Sequence, residues 1–135
     1  VCHAIIDAIL GAAAAGNVGS HFPPSDDEWK DADSMDLLAR AMRVLDARDY
    51  RVGNIDVTVI CETPKIGPHI DAMRMSLAKV LHVPSTAISI KGKTNEKMGW
   101  IGAGEGLAVH AVALIKPQSG AAGGEAGSGG GAWPL

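Results

Sequence analysis

The chain has 135 residues, 47% of them hydrophobic, and a formal net charge of −3. That describes one globular domain and excludes the basic surplus that marks a nucleic-acid binder. No apolar run approaches the length of a membrane span and no signal-peptide pattern opens the sequence, so neither nucleic acid nor membrane is an expected partner. Aromatic residues make up only 4%, and an apolar mass of mostly Ala, Ile, Val, Leu and Met buries limited area in a lone domain, which points to a partner subunit.

Ala4 to Ala15 is apolar on nearly every face except at Asp7, the pattern of a helix buried against a sheet or between subunits. Gly16-Asn17-Val18-Gly19 is expected to end it with a left-handed cap. The stretch from Ser20 to Asp33, rich in proline and acids, reads as a loop, and Asp33-Ser34 offers N-caps to an amphipathic helix with Met35, Leu38, Met42 and Leu45 at helical spacing. Gly53-Asn54 reads as a turn into a strand, Ile55 to Cys61, in which Ile55, Val57, Val59 and Cys61 share one face while Asp56 and Thr58 face the other way. Thr63 to Pro68 forms a bend, and His69 to Leu81 a second amphipathic helix on Ile70, Met73, Leu77, Val80 and Leu81. Strands are expected over 87–91 and 107–115. The tail from Gln118 to Leu135 is almost all Gly, Ala and Ser, with a stray Trp133, and reads as disordered because it buries too little to offset its ordering entropy. The order of elements predicts an α+β domain over residues 1–116, a small mixed sheet with helices packed on one face, followed by a Gly/Ala-rich tail over 117–135.

The chemistry concentrates between the last two strands, in Lys91-Gly92-Lys93-Thr94-Asn95-Glu96-Lys97-Met98-Gly99-Trp100 and the following Gly102, Gly104 and Gly106. Lysines, a hydroxyl, an amide and a carboxylate in a glycine-rich loop suit a phosphate or a metal-bridged diphosphate; a glycine-rich hairpin carrying solvated charges is the plainer reading. A P-loop is excluded, because Ala87 stands where its first glycine belongs and a strand follows. A dinucleotide fingerprint fails too, since the third glycine of Gly102-Ala103-Gly104-Glu105-Gly106 comes one residue early. Cys2 and Cys61 show no CxxC spacing, which fits a reducing compartment.

Several blocks in a fixed order carry a resemblance: His3 to Ala12, Gly16-Asn17-Val18-Gly19 with Phe22-Pro23, Ala32-Asp33-Ser34, and Gly53 to Val57. Pro64-Lys65 with Pro68-His69-Ile70, Lys93 to Gly99, and Gly102 to Gly106 complete the set. Together they span residues 3–116 and resemble the 2-C-methyl-D-erythritol 2,4-cyclodiphosphate synthases of non-mevalonate isoprenoid biosynthesis. The resemblance implies a homotrimer associating through its sheets, with active sites between adjacent subunits. It also implies an intramolecular phosphoryl transfer in which the 2-phosphate of 4-diphosphocytidyl-2-C-methyl-D-erythritol 2-phosphate attacks the inner phosphorus of its own diphosphate and CMP leaves. Cytoplasm in a bacterium, or plastid stroma in an alga or plant, is the implied location.

Residue by residue, the resemblance makes His3 a zinc ligand and Asp7, one turn on, a side chain that orients an imidazole; His3 by itself reads rather as a satisfied core or helix-end histidine. Asn17, Val18, Gly19, Phe22, Pro23, Pro24, Ser25 and Asp26 resemble the loops that hold the erythritol, with Asn17 and Pro24 standing where aspartate is frequent. Cys61, Glu62, Thr63, Pro64, Lys65, Ile66 and Gly67 resemble the cytidine pocket, for which a surface turn is the plain alternative. Lys93, Thr94, Asn95 and Glu96 resemble the nucleotide-phosphate loop, with Thr94 stabilising the transition state and Glu96 holding Mg2+ or Mn2+. Trp100 takes an aromatic position, and Ala103 stands in place of a common arginine. The family's Asp-x-His zinc pair and His-Ser segment are expected upstream of Val1, so the chain reads as a piece of a longer protein that binds zinc poorly by itself. Cys2, His21, His69, His82 and His110 do not have the spacing to replace those ligands. A non-catalytic trimeric cytidine-nucleotide-binding module, or the C-terminal part of a fusion with the preceding cytidylyltransferase, are the alternatives.

Overall fold

Apolar side chains at helical spacing decide which faces are buried. The computed structural model describes residues 1–118; the proposed disordered tail, apart from Gln118, lies outside the described residues, as does Trp133. The first helix, α1 (Cys2–Ala12), buries Ile5, Ile6, Ile9 and Leu10 completely. It ends before the expected Gly16-Asn17. Ala14 takes a left-handed φ of 53°, the Ala14 N–H returns to the Gly11 carbonyl, and the Ala15 N–H reaches the Leu10 carbonyl at 2.8 Å. Those two bonds are the glycine-type helix ending, built here on an alanine.

Asn17 therefore caps something else. It opens a single helical turn, α2 (Val18–His21), where its side chain accepts from the Ser20 N–H and the Ser20 hydroxyl accepts from the Asn17 N–H. This reciprocal pair is a capping box, so the loop expected from Ser20 begins inside a helix. The next helix, α3 (Ser34–Ala47), starts on Asp33, whose carboxylate accepts from the Met35 N–H, and buries Leu37, Leu38, Ala41, Met42 and Leu45.

Gly53-Asn54 is not a turn. Both residues lie inside β1 (Tyr50–Ile60), at an irregularity in its pairing between Val52 and Asn54. The inward face of β1 is as expected, with Val52, Ile55, Val57 and Val59 buried and Cys61 just beyond. A short 3-10 turn, Gly67–His69, leads into α4 (Ile70–Leu81), which ends on His82 at a φ of 55°. Strand β2 (Ile88–Lys93) extends two residues past the expected end, through Gly92 and Lys93, because each stays paired with β1. A short helix absent from the sequence reading, α5 (Gly99–Gly102), precedes β3 (Ala108–Pro117).

The sheet order is β2-β1-β3, with β2 parallel and β3 antiparallel to β1. The hairpin reading fails for this reason: β2 and β3 occupy opposite edges, and the glycine-rich segment crosses the end of the sheet from one edge to the other. The α+β class with a small mixed sheet holds. Helix α1 packs on β3, α4 on β2, and α3 on both helices and β1, so all three long helices cover one face. On the other face Val112 and Leu114 are 71% and 57% exposed, beside a Lys91–Asp56 ion pair at 3.0 Å.

Candidate nucleotide-phosphate site

The end of β1 and the end of β2 lie side by side, and what leaves them forms a cavity. The Cys61 N–H donates to the Lys93 carbonyl at 2.9 Å, continuing the ladder one residue beyond the strand. From there the bend Cys61 to Gly67 folds over, with a cis bond between Thr63 and Pro64 and the Cys61 thiol donating to the Pro64 carbonyl at 3.3 Å. Between this bend and the strand end opens a cavity of about 270 Å³, lined by Glu62, Pro64, Lys65, Ile66, Gly67, Lys93 and Thr94 together with Cys61, Ile70 and Gly92. The structure thus brings together two segments that lie some thirty residues apart in the sequence, the expected cytidine bend and the expected phosphate loop.

Ile70 and Gly92 were missed as site residues. Gly92 stood in the singled-out stretch but just past the expected strand end, so the rule that a glycine inside a strand marks a close approach did not point to it. Here a Cβ would stand 2.9 Å from Ile66 Cγ1, so the absent side chain lets the bend lie against the strand. Ile70 belongs to the apolar stripe of α4, and periodicity alone does not separate its pocket-facing role from core packing.

The loop after β2 is held from within. Glu62 Oε1 accepts from the Asn95 N–H at 2.8 Å and from the Lys97 N–H at 3.2 Å. Asn95 Nδ2 donates to the Met98 carbonyl at 2.7 Å, and the Met98 N–H donates to the Asn95 carbonyl. Glu96 and Lys97 both take positive φ, 52° and 62°, conformations that cost side-chain-bearing residues energy and persist only where neighbours enforce them. Gly102 is obligatory, because a Cβ there would lie 2.2 Å from the Lys97 carbonyl carbon. Thr94 Oγ1 accepts weakly from the Glu96 N–H at 3.3 Å, leaving its hydroxyl hydrogen available. Lys65, Lys93 and Thr94 are among the residues that line the cavity, and two lysines with a hydroxyl are a composition suited to phosphate. Trp100 is 56% exposed and its ring covers Gly106. Ala103 caps the end of α5.

The second group of expected site residues sits elsewhere. No residue between His3 and Asp26 lines the cavity. His3 is exposed on the first turn of α1. Asp7 holds a backbone group: its Oδ1 accepts from the Val18 N–H at 2.7 Å. Val18 and Gly19 form α2. Phe22 is 8% exposed and packs edge-on to Trp29 at 5.1 Å between ring centroids, so its side chain belongs to the core while Pro24, Ser25 and Asp26 stay exposed. Trp29 in turn lies under the Arg40 guanidinium, 4.8 Å from the ring centroid, a clamp on this loop that the sequence reading did not single out. Isolated aromatic and arginine residues seven to eleven positions apart across a loop give no pattern to find.

The donor set decides what metal the described residues fit. Three protein ligands are the rule for a catalytic zinc, and no group of three His, Cys, Asp or Glu side chains converges among the described residues. His21 is engaged, its Nε2 donating to the Ala15 carbonyl, and His110 is exposed on the open face of the sheet. Zinc does not fit these residues alone. Glu96 is a different case, because Mg2+ is commonly held by one or two carboxylates together with substrate phosphates. Its carboxylate is exposed beside the phosphate-suited loop, and the residue fits that use.

Comparison with known proteins adds the family. The YgbB family model matches residues 1–116. The bifunctional enzyme IspD/IspF of Novosphingobium aromaticivorans is 52% identical over 113 residues, which make up 84% of this chain and 29% of that protein. The 2-C-methyl-D-erythritol 2,4-cyclodiphosphate synthase of Xanthomonas oryzae pv. oryzae is 51% identical over 115 residues, 85% of this chain and 71% of that protein. Among solved structures, the Plasmodium falciparum IspF CDP complex superposes with a TM-score of 0.76 at 32% identity, covering 87% of this chain and 70% of that one. The chain thus spans under a third of its bifunctional relative and about seven-tenths of its single-function one. With a family model matched over nearly all the described residues and half of the positions shared with such relatives, the chain belongs to the YgbB family.

Proposed function

We propose that this chain takes part in the conversion of 4-diphosphocytidyl-2-C-methyl-D-erythritol 2-phosphate to 2-C-methyl-D-erythritol 2,4-cyclodiphosphate and CMP, in non-mevalonate isoprenoid biosynthesis. One observation carries the reading: the bend at Cys61 to Gly67 and the start of the following loop at Lys93 and Thr94 close on one cavity, in a fold shared with a CDP-bound relative. In the reaction a 2-phosphate oxygen bonds to the inner phosphorus, the one carrying the erythritol oxygen. The bond from that phosphorus to the bridging oxygen breaks, and the bridging oxygen leaves with CMP. Such a transfer needs alignment and charge neutralisation more than a protein nucleophile.

The residues of the bend and the loop divide the work in that scheme. The bend's backbone groups take the cytosine edge, Lys65 and Lys93 neutralise the diphosphate, and the Thr94 hydroxyl donates to the oxygen on which charge grows. When bound, a divalent ion on Glu96 supplies further neutralisation of the phosphates. Asn17 to Asp26 hold the erythritol. Because none of them lines the cavity within one chain, the reading places the erythritol loop of one copy over the cavity of its neighbour, in a homotrimer assembled on the open sheet face. In a bacterium this enzyme works in the cytoplasm. The described residues supply a single imidazole toward zinc, His3, so the purified chain is proposed to hold zinc weakly and turn over little by itself.

The lone imidazole also favours a second reading, a trimeric module that binds cytidine nucleotides without chemistry. Titration of the purified chain with CDP, together with assay of CMP release from the full substrate, separates the two. Binding with release, even at a low rate under saturating zinc and magnesium, supports the synthase; binding with no release supports the module, and absence of CDP binding rejects both. Zinc near one per subunit in the purified chain would overturn the statement about weak zinc binding.

A further inference from the structure

The bend and the loop are joined by one side chain. Successive backbone N–H groups in positive-φ segments make concavities that attract anions, and such a concavity exists at Asn95 to Lys97, where Glu96 and Lys97 have φ of 52° and 62°. It is already filled. Glu62, two residues past the end of β1, places Oε1 2.8 Å from the Asn95 nitrogen and 3.2 Å from the Lys97 nitrogen. A carboxylate accepting two backbone N–H groups is a charge-assisted clamp, and it ties a residue of the cavity's bend to the segment that carries Thr94 and Glu96.

We infer that Glu62 is a positioning residue: its side chain stands in for an anion within the chain, fixing the loop so that Thr94, Lys93 and Glu96 face the ligand's phosphates while the backbone of its own bend receives the base. This deepens the nucleotide reading of the same cavity and rests on it. The alternative use of these N–H groups, direct contact with a ligand phosphate, is excluded while Glu62 occupies them. The arrangement also couples the two halves of the ligand, because any shift of the bend on base binding is transmitted through Oε1 to the loop that meets the diphosphate.

The test compares wild type with Glu62→Gln, which keeps an acceptor oxygen, and Glu62→Ala, which removes it. Amide hydrogen exchange at Asn95 and Lys97 is read on the ligand-free full chain, with the Val57 and Ile90 amides as a control for global unfolding. Cytidine and CDP affinities are then read by calorimetry. Loss of a clamp of this kind is expected to speed exchange at both amides and weaken CDP by about tenfold in Glu62→Ala, with cytidine affinity unchanged and Glu62→Gln close to wild type. Unchanged exchange at Asn95 and Lys97 in Glu62→Ala overturns the inference, as does an equal fall in cytidine and CDP affinity. A wild-type chain that binds neither ligand sinks the nucleotide reading and, with it, the role assigned to Glu62 toward phosphates; exchange at the two amides then reports separately whether the clamp itself exists.

Discussion

Asp7 Oδ1 accepts a 2.7 Å hydrogen bond from the backbone N–H of Val18. The bond ties the second turn of α1 to the first residue of α2, across the left-handed exit at Ala14 and Gly16. The resemblance implied a different role for this carboxylate, the orientation of an imidazole. Its placement here assigns it at least one structural task, to fix where the Asn17 to Asp26 loop begins.

Replacing Asp7 by Ala should therefore cost stability even without any metal. The pair is exposed, so the expected loss is about 1 kcal/mol, the ordinary net worth of one hydrogen bond. Asp7→Asn retains an acceptor oxygen and should lose less. Denaturant unfolding of the three proteins checks this, and equal midpoints for wild type and Asp7→Ala would show the bond to be energetically silent.

Thr94 has two jobs, and both rest on its hydroxyl. Its oxygen accepts from the Glu96 N–H and its hydrogen is free to donate to phosphate. Thr94→Ser keeps both and should retain most activity in the enzyme assembled with its full complement of ligands. Thr94→Val removes both, and turnover should fall by about 10² to 10³, as for loss of one transition-state donor, with CDP affinity reduced far less. An unchanged rate constant in Thr94→Val would reject the role.

How much of this was readable in advance follows the range of the interaction involved. The inward face of β1 and the stripes of α1, α3 and α4 were legible because periodicity is local and burial follows it. Strand ends were not, since Gly92 and Lys93 are strand only by pairing with Val59 and Ile60, and glycine has no strand preference to announce it. The loop after β2 was singled out by its composition, but the hairpin reading of it failed because sequence adjacency says nothing of which edge a strand joins. The resemblance assigned Glu62 to the pocket; nothing in the sequence showed that its side chain would turn toward Asn95, a contact between residues 33 apart.

The ending of α1 shows the same limit in a form that can be measured. Sequence rules put the left-handed cap at Gly16-Asn17, whereas the chain places Ala14 there at a φ of 53°. A left-handed alanine costs roughly 1–2 kcal/mol that glycine avoids. Ala14→Gly should therefore stabilise the protein by about 1 kcal/mol, after the extra flexibility of glycine in the unfolded chain is subtracted. For a domain of this size that is a rise of a few degrees in Tm. Calorimetry decides it, and a fall in Tm would mean that the Ala14 methyl makes contacts worth more than its strain.

The open face of the sheet joins the assembly question to pH. Lys91 donates to Asp56 Oδ2 at 3.0 Å, and that hydrogen bond holds the Asp56 carboxyl below its ordinary pKa. Because the folded-state pKa is lowered, the stability this pair contributes is present above the unfolded carboxylate value and is lost as pH falls through the folded one. Lys91→Met should lower stability at neutral pH, where the pair contributes, and flatten the acid limb of the stability profile measured by denaturant unfolding. The same face carries Val112 and Leu114, and burying a new carboxylate against a neighbouring copy is costly. Val112→Asp should therefore dissociate a trimer built on this face, read by sedimentation. CDP binding should survive, since the cavity is made within one chain, whereas turnover that needs a neighbour's Asn17 to Asp26 loop should be lost. Retention of a trimer by Val112→Asp would move the interface elsewhere, and retention of full turnover by a proven monomer would end the shared-site reading.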